Sequence, residues 1–341
     1  MSRSAEGPRA APQSSTTISV VICAYTTSRW EQLQAAVHSV LEQDPPPHEI
    51  VVVIDYCPRL EEWARGTFPA RGVHVVTNEA VPGLSGARNS GIAHSWGDVI
   101  VFLDDDAVAM PGWLAAHARH YANPDVLGVG GLVVPAWQDH VPRWFPSEFG
   151  WVVGCSYLGQ PTETAPVRNP IGANMSFRRQ AIEAVGGFAQ SLGRVGTSPV
   201  GCEETELSIR VTAAHPSTRI LHEPSSQVRH QVPSERGTWS YFRRRCWAEG
   251  RSKARVGRLA ASRVALASER TYVRNILSDG VRRYLVDARR TRDLAHLLRA
   301  WAICAGLAIT TAGYCAGRIG QFGRSSLEAG DRSRNRAVGS R

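Results

Sequence analysis

A chain of 341 residues with 43% hydrophobic content can bury a large core, as one large domain or two smaller ones, which excludes a wholly disordered protein. Its net charge of +9 is unevenly placed: residues 241–341 hold 22 Lys and Arg against 7 Asp and Glu, while residues 1–240 hold 17 against 23. Lys253 is the sole lysine, which excludes a GK[ST] phosphate loop; seven cysteines without a CxxC pair exclude a metal finger, argue against a complete disulfide framework and suit a reducing cytoplasm.

Residues 1–17, MSRSAEGPRAAPQSSTT, lack the apolar run of a signal peptide and read as a disordered polar tail. ISVVICA at 18–24 predicts a buried strand, and residues 30–43 carry Leu33, Ala36, Val37, Val40 and Leu41 at helical spacing. IVVVI at 50–54 predicts a second buried strand, ended by Asp55. Residues 73–77 predict a third strand, and a helix begins at Ser85 in SGARNSGIAHS. In GLSGARNSG, Gly83, Gly86 and Gly91 permit close backbone approach, and the planar fork of Arg88 suits a carboxylate or phosphate. VIVFL at 99–103 predicts a fourth strand. This alternation implies an α/β sheet with ligands at the carboxyl ends of its strands.

Asp104, Asp105 and Asp106 follow the fourth strand without a break. Carboxylates so close raise one another's pKa unless cations or strong donors compensate, and a divalent metal is the economical compensation. DDDAV also satisfies the DxDx[TV] pattern of aspartyl-phosphate phosphatases, which would make Asp104 a nucleophile. That chemistry normally uses the first strand and a later lysine, whereas here three strands precede the motif and Lys253 lies in a basic segment. Beyond the triplet, Trp137, Trp144 and Trp151 are read as a sugar-stacking or lipid-facing set, or as core. IGANMSFR at 171–178 holds Gly172 and Asn174, and GCEETELSIR at 201–210 holds Glu203 and Glu204. Acids in a first helical turn also favour the helix dipole, so simple capping is the alternative for the two glutamates.

The segments ISVVICAYT, EIVVVID, GLSGARNSGIAHSWGDVIVFLDDDA, GANMSFRR, GCEETELSIR and a later strand ending at His230 resemble, in order, the inverting family-2 glycosyltransferases of the GT-A fold. The flavour is similar to actinobacterial-type glucuronosyl or glucosyl transferases that work near membranes. The resemblance implies a Rossmann-like mixed sheet flanked by helices over 18–240 and a nucleotide-diphosphate sugar donor, UDP-linked as the first guess. It implies that Asp104 and Asp106 form a D-x-D pair holding Mg2+ or Mn2+, with Asp106 the direct ligand, Asp104 meeting ribose or metal-bound water, and Asp105 a solvated neighbour. Asp55 would read the base, although Tyr56 and Cys57 depart from the acidic or polar residue that often follows, leaving the base open. Gly172 and Asn174 would face donor sugar and acceptor, with Arg88 also at the donor. Glu204 would be the base with Glu203 in support, and His230 would complete the metal or diphosphate site, with His222 competing. The chemistry is consistent: hard ligands hold an ion that offsets charge on the leaving diphosphate, and inversion needs a base on the opposite face.

The C-terminal third reads as a basic helical extension at 241–293, a hydrophobic helix at 294–318 and a disordered basic tail at 319–341. YFRRRCWAEGRSKARVGRL at 241–259 mixes Tyr241, Phe242 and Trp247 with seven basic residues, as an interfacial helix on anionic lipid does. Residues 300–317 carry no charge, and Gly313 and Gly317 have GxxxG spacing, so this helix would insert, span or pack on the catalytic domain. A nucleic-acid module, the other reading of such an arginine-rich face, lacks any recognition fold here. The sequence thus points to a metal-dependent inverting glycosyltransferase at the cytoplasmic membrane face, acting on a polyprenyl-phosphate-linked or glycan acceptor, without nucleic acid.

Overall fold

A computed structural model describes residues 16–68, 72–194, 201–259 and 272–338. Most of the N-terminal segment read as a tail lies outside the described residues. Nine strands form one mixed sheet: β1 (Ile18–Ala24), β2 (Glu49–Ile54), β3 (Val73–Thr77), β4 (Val99–Asp104), β5 (Ala107–Ala109), β6 (Val126–Trp137), β7 (Ala165–Val167), β8 (Asn174–Arg178) and β9 (Arg219–Val232). Their order is β3-β2-β1-β4-β8-β6-β9-β5, with β7 on β9. The first four are mutually parallel; β8 runs antiparallel to both β4 and β6, and β6 runs parallel to β9.

The continuous apolar runs of the parallel strands are explained by two cores, one on each face of the sheet. Val20 and Ile22 pack with Leu33, Val37 and Val40 of helix α1 (Trp30–Leu41). Val21, Val53 and Phe102 pack on the other face with Ala87 and Ile92 of α3 (Leu84–Ala93), which follows α2 (Pro58–Thr67). Period-two alternation is present but hidden, because both faces are apolar. Helices α4 (Trp113–Ala118), α5 (Arg179–Ala184) and α6 (Glu203–Ala214) complete the layers. Register between β6 and β9 jumps between Gly131 and Leu132, an irregularity that bends β9 before its last residues reach β5.

The C-terminal third is helical and shares the main core. Helix α7 (Trp239–Leu259), a π-helical turn (Tyr272–Leu277), α8 (Ser278–Thr291) and α9 (Leu294–Val338) follow in order. Residues 319–338, read above as a tail, continue α9, and no proline interrupts them. Glu148 is wholly buried and docks this extension: its carboxylate accepts from Arg283 at 2.7 Å and Tyr284 at 3.4 Å, and its carbonyl from the Tyr272 hydroxyl. Along α7 and α9 the backbones nearly touch. A Cβ on Gly250 or Gly313 would collide with the carbonyl oxygen of Thr310 or Trp247, and one on Gly317 would lie 2.9 Å from the Ala254 Cβ. The GxxxG pair therefore packs within the chain, although Leu294–Ile319 is long and apolar enough to cross a membrane. Trp144 meets Trp239 and Phe242 edge-on, and Trp137 meets Phe145, so these rings join the sheet domain to α7 as core.

Candidate active site

The site grows from the carboxyl ends of β1, β2 and β4. Parallel register sets Cys23 beside Asp104 and Ala24 beside Ile54, which brings Asp104 and Asp55 to the same sheet edge. Asp55 accepts from the Asn78 side-chain amide at 2.6 Å and from the Gly83 backbone at 2.9 Å. Its carboxylate therefore braces the loop into α3 and lines a pocket that also contains Tyr25, Arg29 and Arg194. Tyr56 follows at φ 51°, and Cys202, just before α6, has φ 73°. Left-handed backbone at non-glycine residues is uncommon; these two of the three described instances flank this site, the third being Arg292 at a helix end.

Arg88, buried on α3, gathers three of the predicted elements. Its guanidinium donates to Glu203 at 3.0 Å, to the Gly172 carbonyl at 3.1 Å and to Asp104 at 3.4 Å. Burial would lower its pKa, but the charges of Glu203 and Asp104 raise it. A Cβ at Gly172 would sit 3.0 Å from this guanidinium, so glycine keeps the loop close to it. Arg88 thus acts as a fixed cation between acids, held by three hydrogen bonds.

The aspartate triplet divides in two. Ligand atoms of Asp104, Asp106 and His230 lie within 4.8 Å of one another, because Ala107 on β5 pairs with His230 on β9. Asp106 faces His230 at 3.1 Å, Arg29 at 3.1 Å and Arg236 at 3.5 Å. Burial alone would raise Asp106, but His230, Arg29 and Arg236 hold it far below the usual carboxylate range. Burial opposes protonation of His230 too; Asp106 outweighs it and pushes that imidazole up to about 10. The second ring nitrogen of His230 faces the Cys155 sulfur at 3.7 Å. His222 sits opposite Gly130 and Ala165, and His230 is the histidine that β9 delivers to the acids. Two carboxylates and one imidazole match Mn2+ or Mg2+ better than a soft ion.

Asp105 is not a solvated neighbour, as the sequence suggested. It is 4% exposed, with one oxygen on Arg29 at 2.9 Å and the other buried without a hydrogen bond. Burial and then the charge of Asp106 push it up to about 7. Asn174 also departs from expectation. It is wholly buried, accepting from Trp113 at 2.8 Å, meeting His117 at 2.9 Å, and donating to the carbonyls of Leu132 and Ser226. All its polar capacity is spent on fixing strands, so it is a brace beneath the site rather than a surface for sugar.

Helix α6 carries the second acid pair in its first turn. Glu203 is buried with one oxygen on Arg88 and the other without a partner. Glu204 keeps part of its surface open, yet enclosure of its carboxylate and then the charge of Glu203 push it up to about 8. Arg29, Arg194 and Arg236 escaped the sequence reading. Arg29 had a usable signal, since it lies just past the carboxyl end of β1, where α/β sheets place ligand groups. Arg236 comes from a 3-10 turn after β9 and had none.

The family model described as Glycosyl transferase family 2 matches residues 19–186. The glucosyl-dolichyl phosphate glucuronosyltransferase of Haloferax volcanii is 35% identical over 69% of this chain and 76% of its own length. The human polypeptide N-acetylgalactosaminyltransferase 15 is 26% identical over 64% of this chain, which spans only 36% of that protein. Among solved structures, the Pyrobaculum calidifontis mannosyltransferase in complex with GDP-Man and Mn2+ shares the fold at a TM-score of 0.55 and 18% identity, over 93% of this chain and 81% of that one. GalNAc-T7 with UDP, GalNAc and Mn2+ aligns at 0.50 and 22% identity, over 63% and 43%. The aspartyl-phosphate reading of DDDAV falls with this fold, in which β4 is the fourth strand. The shared fold and a relative 35% identical over 69% of this chain make it a member of glycosyltransferase family 2, an enzyme of the GT-A class.

Proposed function

We propose that the protein transfers a sugar, with inversion, from a nucleotide-diphosphate donor to an acceptor hydroxyl or phosphate carried by a membrane lipid. The observation that supports this most directly is the convergence of Asp104, Asp106 and His230 within 4.8 Å at the carboxyl ends of parallel strands. These three would hold Mn2+ or Mg2+, which when bound supplies positive charge for the departing diphosphate. Arg29 and Arg194 line the same pocket and offer further cations to the phosphates. Asp55 and the Gly83 backbone shape the base end, and Arg88 holds Glu203 and the Gly172 loop at the sugar end.

Glu204 is the base in this reading. Its raised pKa suits it to take the acceptor proton as that oxygen attacks from the face opposite the diphosphate. UDP-sugars remain the first choice: one structural neighbour carries UDP and another GDP-Man, and the base contact at Asp55 leaves the choice to experiment. A polyprenyl-phosphate-linked acceptor is favoured over a free glycan, because a relative with 35% identity is named for a dolichyl phosphate substrate. Work at the cytoplasmic membrane face is part of the same reading, whereas the actinobacterial flavour rests on sequence resemblance alone. The test is calorimetric titration of UDP- and GDP-sugars with and without Mn2+, followed by NMR of the product anomer. Metal-independent donor binding, or a product with retained configuration, contradicts the reading.

A further inference from the structure

The C-terminal helices turn a continuous apolar stripe outward. On α9, Leu294, Leu297, Leu298, Trp301, Cys304 and Cys315 are all exposed, and their spacing keeps them on one face. The opposite face, with Ala302, Ile303, Gly306 and Gly313, is buried against the protein. Leu285 and Val286 of α8 and Trp247 of α7 are exposed as well, and the Trp301 ring packs on Trp239 at 4.6 Å. Single exposed apolar residues are ordinary, but a stripe of this length marks a partner. The neighbouring helices are cationic: Arg243, Arg244 and Arg251, three or four positions from the exposed Trp247 on α7, and Arg289 and Arg290 of α8 are exposed.

We propose that this stripe is the seat for an anionic phospholipid bilayer, with α9 lying in the interfacial plane, its leucines and Trp301 among the acyl chains and the arginines at the headgroups. The proposal deepens the membrane part of the reading above, and vesicle binding is measured without turnover, so its failure would leave glycosyl transfer standing. Two observations select this occupant and posture. The glycine seam binds α9 along α7, so a spanning α9 would drag the α7 arginines toward hydrocarbon, where each is costly. A second copy seated symmetrically on the stripe would set one arginine rim against another, and like charges oppose that pairing.

The test uses the full-length protein and vesicles of phosphatidylcholine alone or mixed with phosphatidylglycerol. Expected is co-sedimentation with the anionic vesicles at low salt, weakened but not abolished by salt, with much less on neutral vesicles. Thiol labelling of Cys304 and Cys315, rapid in solution, becomes protected on the vesicle. Replacing Arg243, Arg244 and Arg251 with Glu lowers vesicle affinity about 100-fold or more. Leu298→Ser combined with Trp301→Ser removes the salt-resistant fraction, and unchanged circular dichroism in both variants verifies folding. Protein that stays in the supernatant with both vesicle types at low salt overturns the proposal. So does cleavage of the C-terminus by a protease sealed in the lumen, which would reveal a span, or a solution dimer broken by the Leu298/Trp301 change without vesicle binding.

Discussion

Asp106 concentrates the electrostatics of the site, since one carboxylate faces His230, Arg29 and Arg236. Asp106→Asn keeps the shape but removes the charge, so transfer and Mn2+-dependent nucleotide binding should both disappear while the circular dichroism spectrum persists. Full turnover in excess EDTA would sink the metal assignment. Glu204→Gln is the complementary change. Donor affinity should survive and kcat should fall by roughly 10² or more, because the amide cannot accept the acceptor's proton. A base works only when deprotonated, and Glu204 is raised to about 8, so wild-type kcat/KM should climb as pH rises through about 8. That limb should be missing in the Gln variant; an unchanged profile reassigns the base. At this scale the sequence was legible where an acid follows an apolar strand, which is how the placement of Asp55, Asp104 and Asp106 could be read. It was silent where a role depends on a distant partner. Asp105 owes its environment to Arg29, 76 positions earlier, and the burial of Asn174 depends on Trp113, His117 and Ser226 from other elements.

Among elements, β1, β2 and β4 were legible because a strand covered on both faces leaves an uninterrupted apolar run. Strands β6 and β9 were harder to read: β9 carries polar Ser225, Ser226 and Gln227 around its irregularity and presents His222 and His230 on the same strand. Helices α7 and α9 offer a sharp packing test. Gly313→Leu places a side chain against the Trp247 backbone and should lower stability by about 1–3 kcal/mol or more, read as a reduced melting temperature. Gly257→Ala, on the same α7 but with nothing within 4 Å, should instead stabilise by about 0.5–1 kcal/mol through helix propensity. Equal effects at the two positions would contradict the close seam. GxxxG spacing announced tight packing without naming its partner, since the same small-residue pattern serves lipid-bound and soluble helices.

For the molecule as a whole, the extension shares one core with the catalytic domain: Phe242, Tyr284, Ala300 and Ile303 join the same cluster as Val20 and Leu33. Glu148 adds a buried anchor to Arg283, so catalytic domain and extension pack as one unit. With the proposed bilayer seat occupied, the active site would search an area instead of a volume. Its encounter rate with a lipid acceptor then depends on how crowded that acceptor is within the sheet, as an effective two-dimensional concentration, and hardly at all on the amount per millilitre. Diluting the acceptor with inert phospholipid at fixed total acceptor should therefore slow turnover roughly in proportion to its mole fraction. A water-soluble acceptor analogue, which arrives from three dimensions, should show no such dependence, and the ratio of the two rates at increasing dilution measures how firmly the enzyme keeps to the surface between successive transfers.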